Sequence, residues 1–237
     1  MPAPEDKGKT LWEMLQQRLC HRGHGNGNGD GAALNFANPL DLRIDSPVPM
    51  AFANGPEFAN YSFTVQAIRQ YIRRIGSREF SFTDYELFGT NIKTFDAEDA
   101  MVPRVRVIEN QAGGHDALLL RLFDEFAFAE DFLALLNDGS GVIELKNDDA
   151  APSGPAIRFK RVNDLRDSYE ADILLVTRTT AEGKAVPSKA SALKVEYWDY
   201  WRDVETAPGK TAKEFLFVEK NSETGWFQIW RGREFFS

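Results

Sequence analysis

Cysteine is almost missing from this sequence: Cys20 stands alone, so no intrachain disulfide can form and the fold cannot lean on an oxidising compartment. Histidine is nearly as scarce. His21, His24 and His115 all lie in or beside glycine-rich stretches, and no Gly-x-Ser-x-Gly elbow accompanies them, so Ser–His–Asp chemistry lacks both a nucleophile turn and a base. Long apolar runs are absent too. No stretch approaches the roughly 18 residues of a membrane span, and the opening MPAPEDKGKTLWEM carries acids instead of an apolar signal-peptide core. These absences predict a soluble, cytoplasmic protein with no membrane partner.

Positive charge is in deficit. The 28 Lys and Arg face 36 Asp and Glu, a formal net charge of −8 that repels polyanions on average. Arg69, Arg73, Arg74 and Arg78 form a local cluster, but on an extended segment Arg69 and Arg73 point to one side and Arg74 and Arg78 to the other. Nucleic acid is therefore not the expected partner.

What is present is an ordinary globular mixture, 43% hydrophobic and 27% charged. Residues 1–37 read as a short helix followed by a flexible linker. Thr10 caps an amphipathic stripe of Leu11, Met14, Leu15 and Leu19, and CHRGHGNGNGDG follows. Asn26, Asn28, Asp30 and Gly31 imitate the start of a calcium loop, but the required Glu is replaced by Ala37. Glycine spacing fails the dinucleotide fingerprint, and Cys20, His21 and His24 lack a fourth zinc ligand. No metal and no cofactor is expected.

From Asn38 the texture turns to strands. YSFTVQAIRQYIRR alternates Phe63, Val65 and Ala67 against Ser62, Thr64, Gln66 and Ile68. EFSFTDYELFG sets Phe80, Phe82, Asp84 and Glu86 on one face, with Ser81, Thr83, Tyr85 and Leu87 on the other, and pairs with it as a hairpin. Residues 38–146 form a first β half with one helix near 128–137. NDDAAPSGP, 147–155, is a linker, and 156–237 form a second β half.

The halves share a pattern. Glu109 in VIEN and Glu219 in VEKN are each followed twelve residues later by arginine, Arg121 and Arg231. Upstream, FTDYEL carries Asp84 beside Tyr85, and EYWDYW carries Asp199 beside Tyr200. The expected fold is mainly β: two pseudo-repeated small antiparallel barrels or curved-sheet halves. EYWDYW, FLFVEK and GWFQIWRG resemble the aromatic strands of uncharacterised bacterial proteins with paired small β modules, akin to domain-of-unknown-function family 4178. That resemblance spans Asn38 to Phe236 and implies a fold without an established activity.

Two sets of candidate binding residues follow. Trp198, Tyr200, Trp226 and Trp230, with Arg202 and Arg231, are of the types that concentrate binding energy at protein interfaces. Asp84, Asp199, Glu109, Glu219, Arg121 and Arg231 instead suit a polar groove between the halves. The first set predicts a non-catalytic interaction or adaptor module with a protein partner. The second suits a carboxylate-based hydrolase or a sugar-binding protein. A structural subunit of a larger assembly is the third expectation, and no residue is assigned a catalytic role.

Overall fold

The computed structural model describes residues 39–48, 58, 60–75, 78–96, 98, 100–109, 115–145, 156–162, 168–179, 185–187 and 193–234. The expected N-terminal helix, Cys20, His21, His24, the glycine-rich stretch and the 147–155 linker lie outside the described residues. In chain order the elements are β1 (Pro47–Val48), β2 (Tyr61–Ile75), β3 (Arg78–Asn91), β4 (Arg104–Glu109), β5 (His115–Phe126), helix α1 (Glu130–Leu136), β6 (Val142–Leu145), β7 (Ile157–Arg161), β8 (Tyr169–Thr179), β9 (Ala185–Pro187), β10 (Leu193–Ala207), β11 (Lys210–Asn221) and β12 (Phe227–Glu234). The fold is mainly β, and both stretches of chain contribute to one antiparallel sheet of twelve strands.

That sheet closes on itself. Strands β2 to β5 form one meander, and β10 to β12 form another that β8 joins through β10. β5 pairs with β12, and β2 pairs with β8. The circuit β2, β3, β4, β5, β12, β11, β10, β8 and back to β2 is a barrel. β10 serves twice: Leu193–Tyr197 closes the barrel against β8, while Tyr200 and Trp201 pair with β7.

Closure gives the strands two covered faces, which explains why so many of their residues are apolar. On the outside of the first meander, Leu40, Val48 and Phe58 pack over Phe63, Val65, Ile68, Tyr85, Leu87, Val105 and Val107. The Tyr85 hydroxyl accepts a 2.9 Å bond from the Leu40 amide, which pins this cover. On the outside of the second, Leu136 of α1, Ile143, Ile157 and Phe159 cover Trp198, Tyr200, Leu216, Val218, Phe227 and Ile229. Each fully buried side chain of this size contributes roughly 1.5–3 kcal/mol.

β2 departs from the simple alternation expected of it. A bulge between Val65 and Ala67 inserts one residue, so Ile68 joins Phe63 and Val65 on the outer face while Arg69 and Tyr71 turn inward. The helix expected near 128–137 forms over Glu130–Leu136, with Glu130 and Asp131 in its first turn where the helix dipole favours acids. Its buried side is Phe132, Leu133 and Leu136, whereas Phe128 and Leu135 are exposed.

Candidate functional site

The inward residues of β4 are arginines. RVRVIE alternates so that Val105 and Val107 enter the outer core while Arg104 and Arg106 enter the barrel, where both are almost fully buried. Burying an unpaired charge is prohibitive, and the barrel supplies two carboxylates to match. Asp84, the register partner of Arg106 on β3, accepts two bonds from that guanidinium at 2.8 Å each. Glu219 reaches across from β11, accepting 2.7 Å from Arg106 and 2.9 Å from Arg104. The Tyr71 hydroxyl donates to the same carboxylate at 3.2 Å. Aromatic rings lie against both guanidiniums: Arg104 lies 3.6 Å from the Trp230 ring centroid, and Arg106 lies 4.3 and 4.4 Å from those of Phe82 and Phe217.

Two cations and two anions leave this network neutral. Burial pushes the Glu219 carboxyl up, but Arg104 and Arg106 outweigh it and hold the group at about 2. Burial, followed by the Glu219 charge, raises Tyr71. At neutral pH neither group is poised to exchange a proton, so the network is a fixed dipolar core and a poor acid–base pair.

Above Glu219 the barrel opens into a cavity of about 170 Å³. One wall is apolar, made by Ile173, Leu193 and Val195, and the polar side carries Arg69, Glu125, Asn221 and Gln228. Arg69 is tied to Glu86 at 2.6 Å. Gln228 links interior to mouth: its Oε1 accepts from Arg104 at 3.3 Å, and its Nε2 donates to Glu125 at 2.5 Å. Trp226 stands at the rim, 46% exposed. The β11–β12 turn presents it: Asn221 Oδ1 accepts from the amides of Glu223 and Thr224 at 2.8 and 3.0 Å, and Gly225 takes φ 74°. A side chain at Gly225 would be strained by that φ and would press on Phe128.

No protein-family model, curated protein or solved structure matches the chain. Its site must therefore be read from its own geometry. Among the described residues, no group of three His, Cys, Asp or Glu side chains is placed to hold a metal ion.

A second charged assembly lies on the outer face of β10, β11 and β12. Glu214 is buried and accepts from three arginines: Arg202 at 2.5 Å, Arg231 at 3.1 Å and Arg233 at 3.3 Å. Burial opposes ionisation of Glu214, but Arg231 and Arg202 prevail and hold its carboxyl below the ordinary range. Arg121 of β5 is the register partner of Arg231 and is exposed beside it. Among the described residues, these four arginines stand against Glu214 and the exposed Asp124 beside Arg121, which leaves this face with an excess of positive charge.

The candidate residues thus separate. Asp84 and Glu219 meet inside the barrel, and Arg121, Arg202 and Arg231 gather on the outer face. Asp199 is buried on β10, while Glu109 ends β4 with its side chain outside the described part. The aromatic set does not form one surface. Trp198 and Tyr200 are buried under α1, with the Trp198 indole donating to Asn137 at 3.1 Å, and Trp230 is buried inside the barrel. The reason is that α1, β6 and β7 cover the outer face around Trp198 and Tyr200, while barrel closure covers Trp230. Only Trp226 of the four remains exposed. Arg104, Arg106, Tyr71, Gln228, Glu125, Glu214 and Arg233 were missed. For the first two the signal was RVRV itself, since arginine alternating with valine between buried strands places charge inside.

Proposed function

We propose that the protein is a non-catalytic interaction module whose outer arginine face docks an acidic segment of a partner protein. The observation that supports this reading is the convergence of Arg202, Arg231 and Arg233 on one buried carboxylate, with Arg121 alongside, in a chain whose net charge is −8. Guanidiniums pre-oriented by Glu214 lose little freedom on meeting a carboxylate, and their planar forks bind it bidentately. The aromatic residues then act as the rigid bed: Arg202 lies over Phe159 and Arg231 over Phe123. Duplication of a four-strand unit belongs to the same proposal, supported by the two meanders meeting at β5–β12 with Arg121 opposite Arg231. So does membership in the bacterial family with paired β modules, together with a cytoplasmic location.

The test is fluorescence anisotropy with a labelled Asp/Glu-rich peptide, run beside an oligonucleotide of equal charge. Peptide binding that weakens with salt and falls at least about tenfold in Arg121→Glu and Arg233→Glu supports the proposal. Binding indifferent to both reversals, or a preference for the oligonucleotide, would sink it. The hydrolase or sugar-binding reading draws on the cavity between the halves, where Glu125 and Glu219 both line the wall. Glu219 held at about 2 cannot serve as the protonated acid such hydrolysis needs, which leaves binding as the stronger use of that cavity.

A further inference from the structure

The barrel mouth is separate from the arginine face and has the opposite charge. Its lining contains one cation, Arg69, and two anions, Glu125 and Glu219, a sum of −1. Immediately behind stand Arg104 and Arg106 against Asp84 and Glu86, a sum of zero. Among the described residues the mouth therefore carries one uncompensated negative charge, and the contacts identify its bearer. Arg69 is paired with Glu86, and Glu219 is held by two arginines. Glu125 receives only the neutral Gln228 amide, and among the described residues no cation pairs with it.

Three features then point to one ligand chemistry. The free charge selects a cation. The half-exposed Trp226 at the rim brings an indole to the lining, the aromatic type that attracts an ammonium group most strongly. The wall of Ile173, Leu193 and Val195 accepts the hydrocarbon body of a ligand. In size, about 170 Å³ slightly exceeds the ~150 Å³ cavity that holds a benzene molecule, so the ligand is small. We infer that the barrel mouth binds a compact amphipathic cation, an ammonium group on a short hydrocarbon body, with Glu125 and Trp226 holding the charge and the Ile173–Val195 wall holding the carbons. The group belongs either to a free amine or to a lysine side chain presented by a peptide.

The experiment titrates the full chain with n-butylammonium, n-butanol, butyrate and glucose, and follows the indole N–H signal of Trp226 by NMR, assigned through its loss in Trp226→Phe. A capped pentapeptide containing one lysine is the arm that separates a free amine from a side chain. Saturable binding of n-butylammonium, or of the lysine peptide, with a dissociation constant on the order of 1 mM is expected for so few atoms. Glu125 is exposed, so Glu125→Gln should fold unchanged, verified by its melting temperature, and should weaken that binding about tenfold or more. n-Butanol binding as well as the amine, glucose or butyrate binding in its place, an unaltered affinity in Glu125→Gln, or no saturation by either amine would each overturn the assignment.

Discussion

Replacing Glu219 by Gln removes one negative charge from a network of two cations and two anions, leaving Arg104 and Arg106 to share Asp84 alone. Two routes give the size of the effect. The Glu219 carboxyl is lowered from its ordinary 4.5 to about 2, which at about 1.4 kcal/mol per unit is on the order of 3–4 kcal/mol of folding free energy. Independently, breaking a buried ion pair by removing one partner costs about 3–5 kcal/mol. The two agree, so the variant should be destabilised by about 3 kcal/mol in urea denaturation at pH 7, followed by tryptophan fluorescence. The pH dependence supplies the stricter test. Because the folded-state value lies below the unfolded one, the stabilisation is complete above about pH 4.5 and disappears as pH falls toward 2. Wild type and Glu219→Gln should therefore converge in stability across that window. A variant within about 1 kcal/mol of wild type at pH 7, or a gap that stays constant down to the acid limit, would refute the reasoning. Removing Arg104 as well restores neutrality, and the double variant should lose less than the sum of the single losses, by about 1–3 kcal/mol.

Three further outcomes follow from particular contacts. A methyl group at Gly232 would sit 2.0 Å from the Leu119 carbonyl oxygen, a backbone atom that cannot step aside, so Gly232→Ala should lower the urea midpoint sharply by opening the β5–β12 seam. Asn137→Ala leaves the buried Trp198 indole without its acceptor and should cost about 1–3 kcal/mol by the same denaturation assay. Burial pushes Tyr200 up to about 12 and raises Tyr71 as well, so ultraviolet titration should show both ionising late, and Tyr200→Phe should remove one late step. With folded-state values above the ordinary 10, these tyrosines contribute stability that is present below pH 10 and lost as pH rises through the folded values.

How far the sequence could be read depended on what each residue type reveals by itself. β3 was legible because its inward Phe82, Asp84 and Glu86 alternate without interruption against Thr83, Tyr85 and Leu87. β2 was not, since a bulge at Gln66 changes which face is which and leaves no mark in composition. The equal spacing from Glu109 to Arg121 and from Glu219 to Arg231 drew attention to residues of real importance, yet Glu219 faces the barrel interior and Arg231 the outer sheet. Spacing along a strand cannot report which face is closed by another part of the chain. Trp198 and Trp230 could not be assigned to core or surface for the same reason: their concealment depends on α1 and on barrel closure, both remote in sequence. The cavity assembles side chains from β2, β5, β8, β10, β11 and β12, and no local motif could announce it.

The doubled use of β10 has a consequence for how this molecule meets others. By pairing with β8 along Leu193–Tyr197 and with β7 at Tyr200 and Trp201, it shortens the open edge of the second meander. The sheet path ends in β6, four residues long, and β9, three residues long and finished by Pro187. Termini so brief give an incoming chain little backbone to hydrogen-bond, which guards against fibrous growth by strand addition. Recognition by this fold is thereby left to side chains, to the arginines on its flank and to the tryptophan at its mouth.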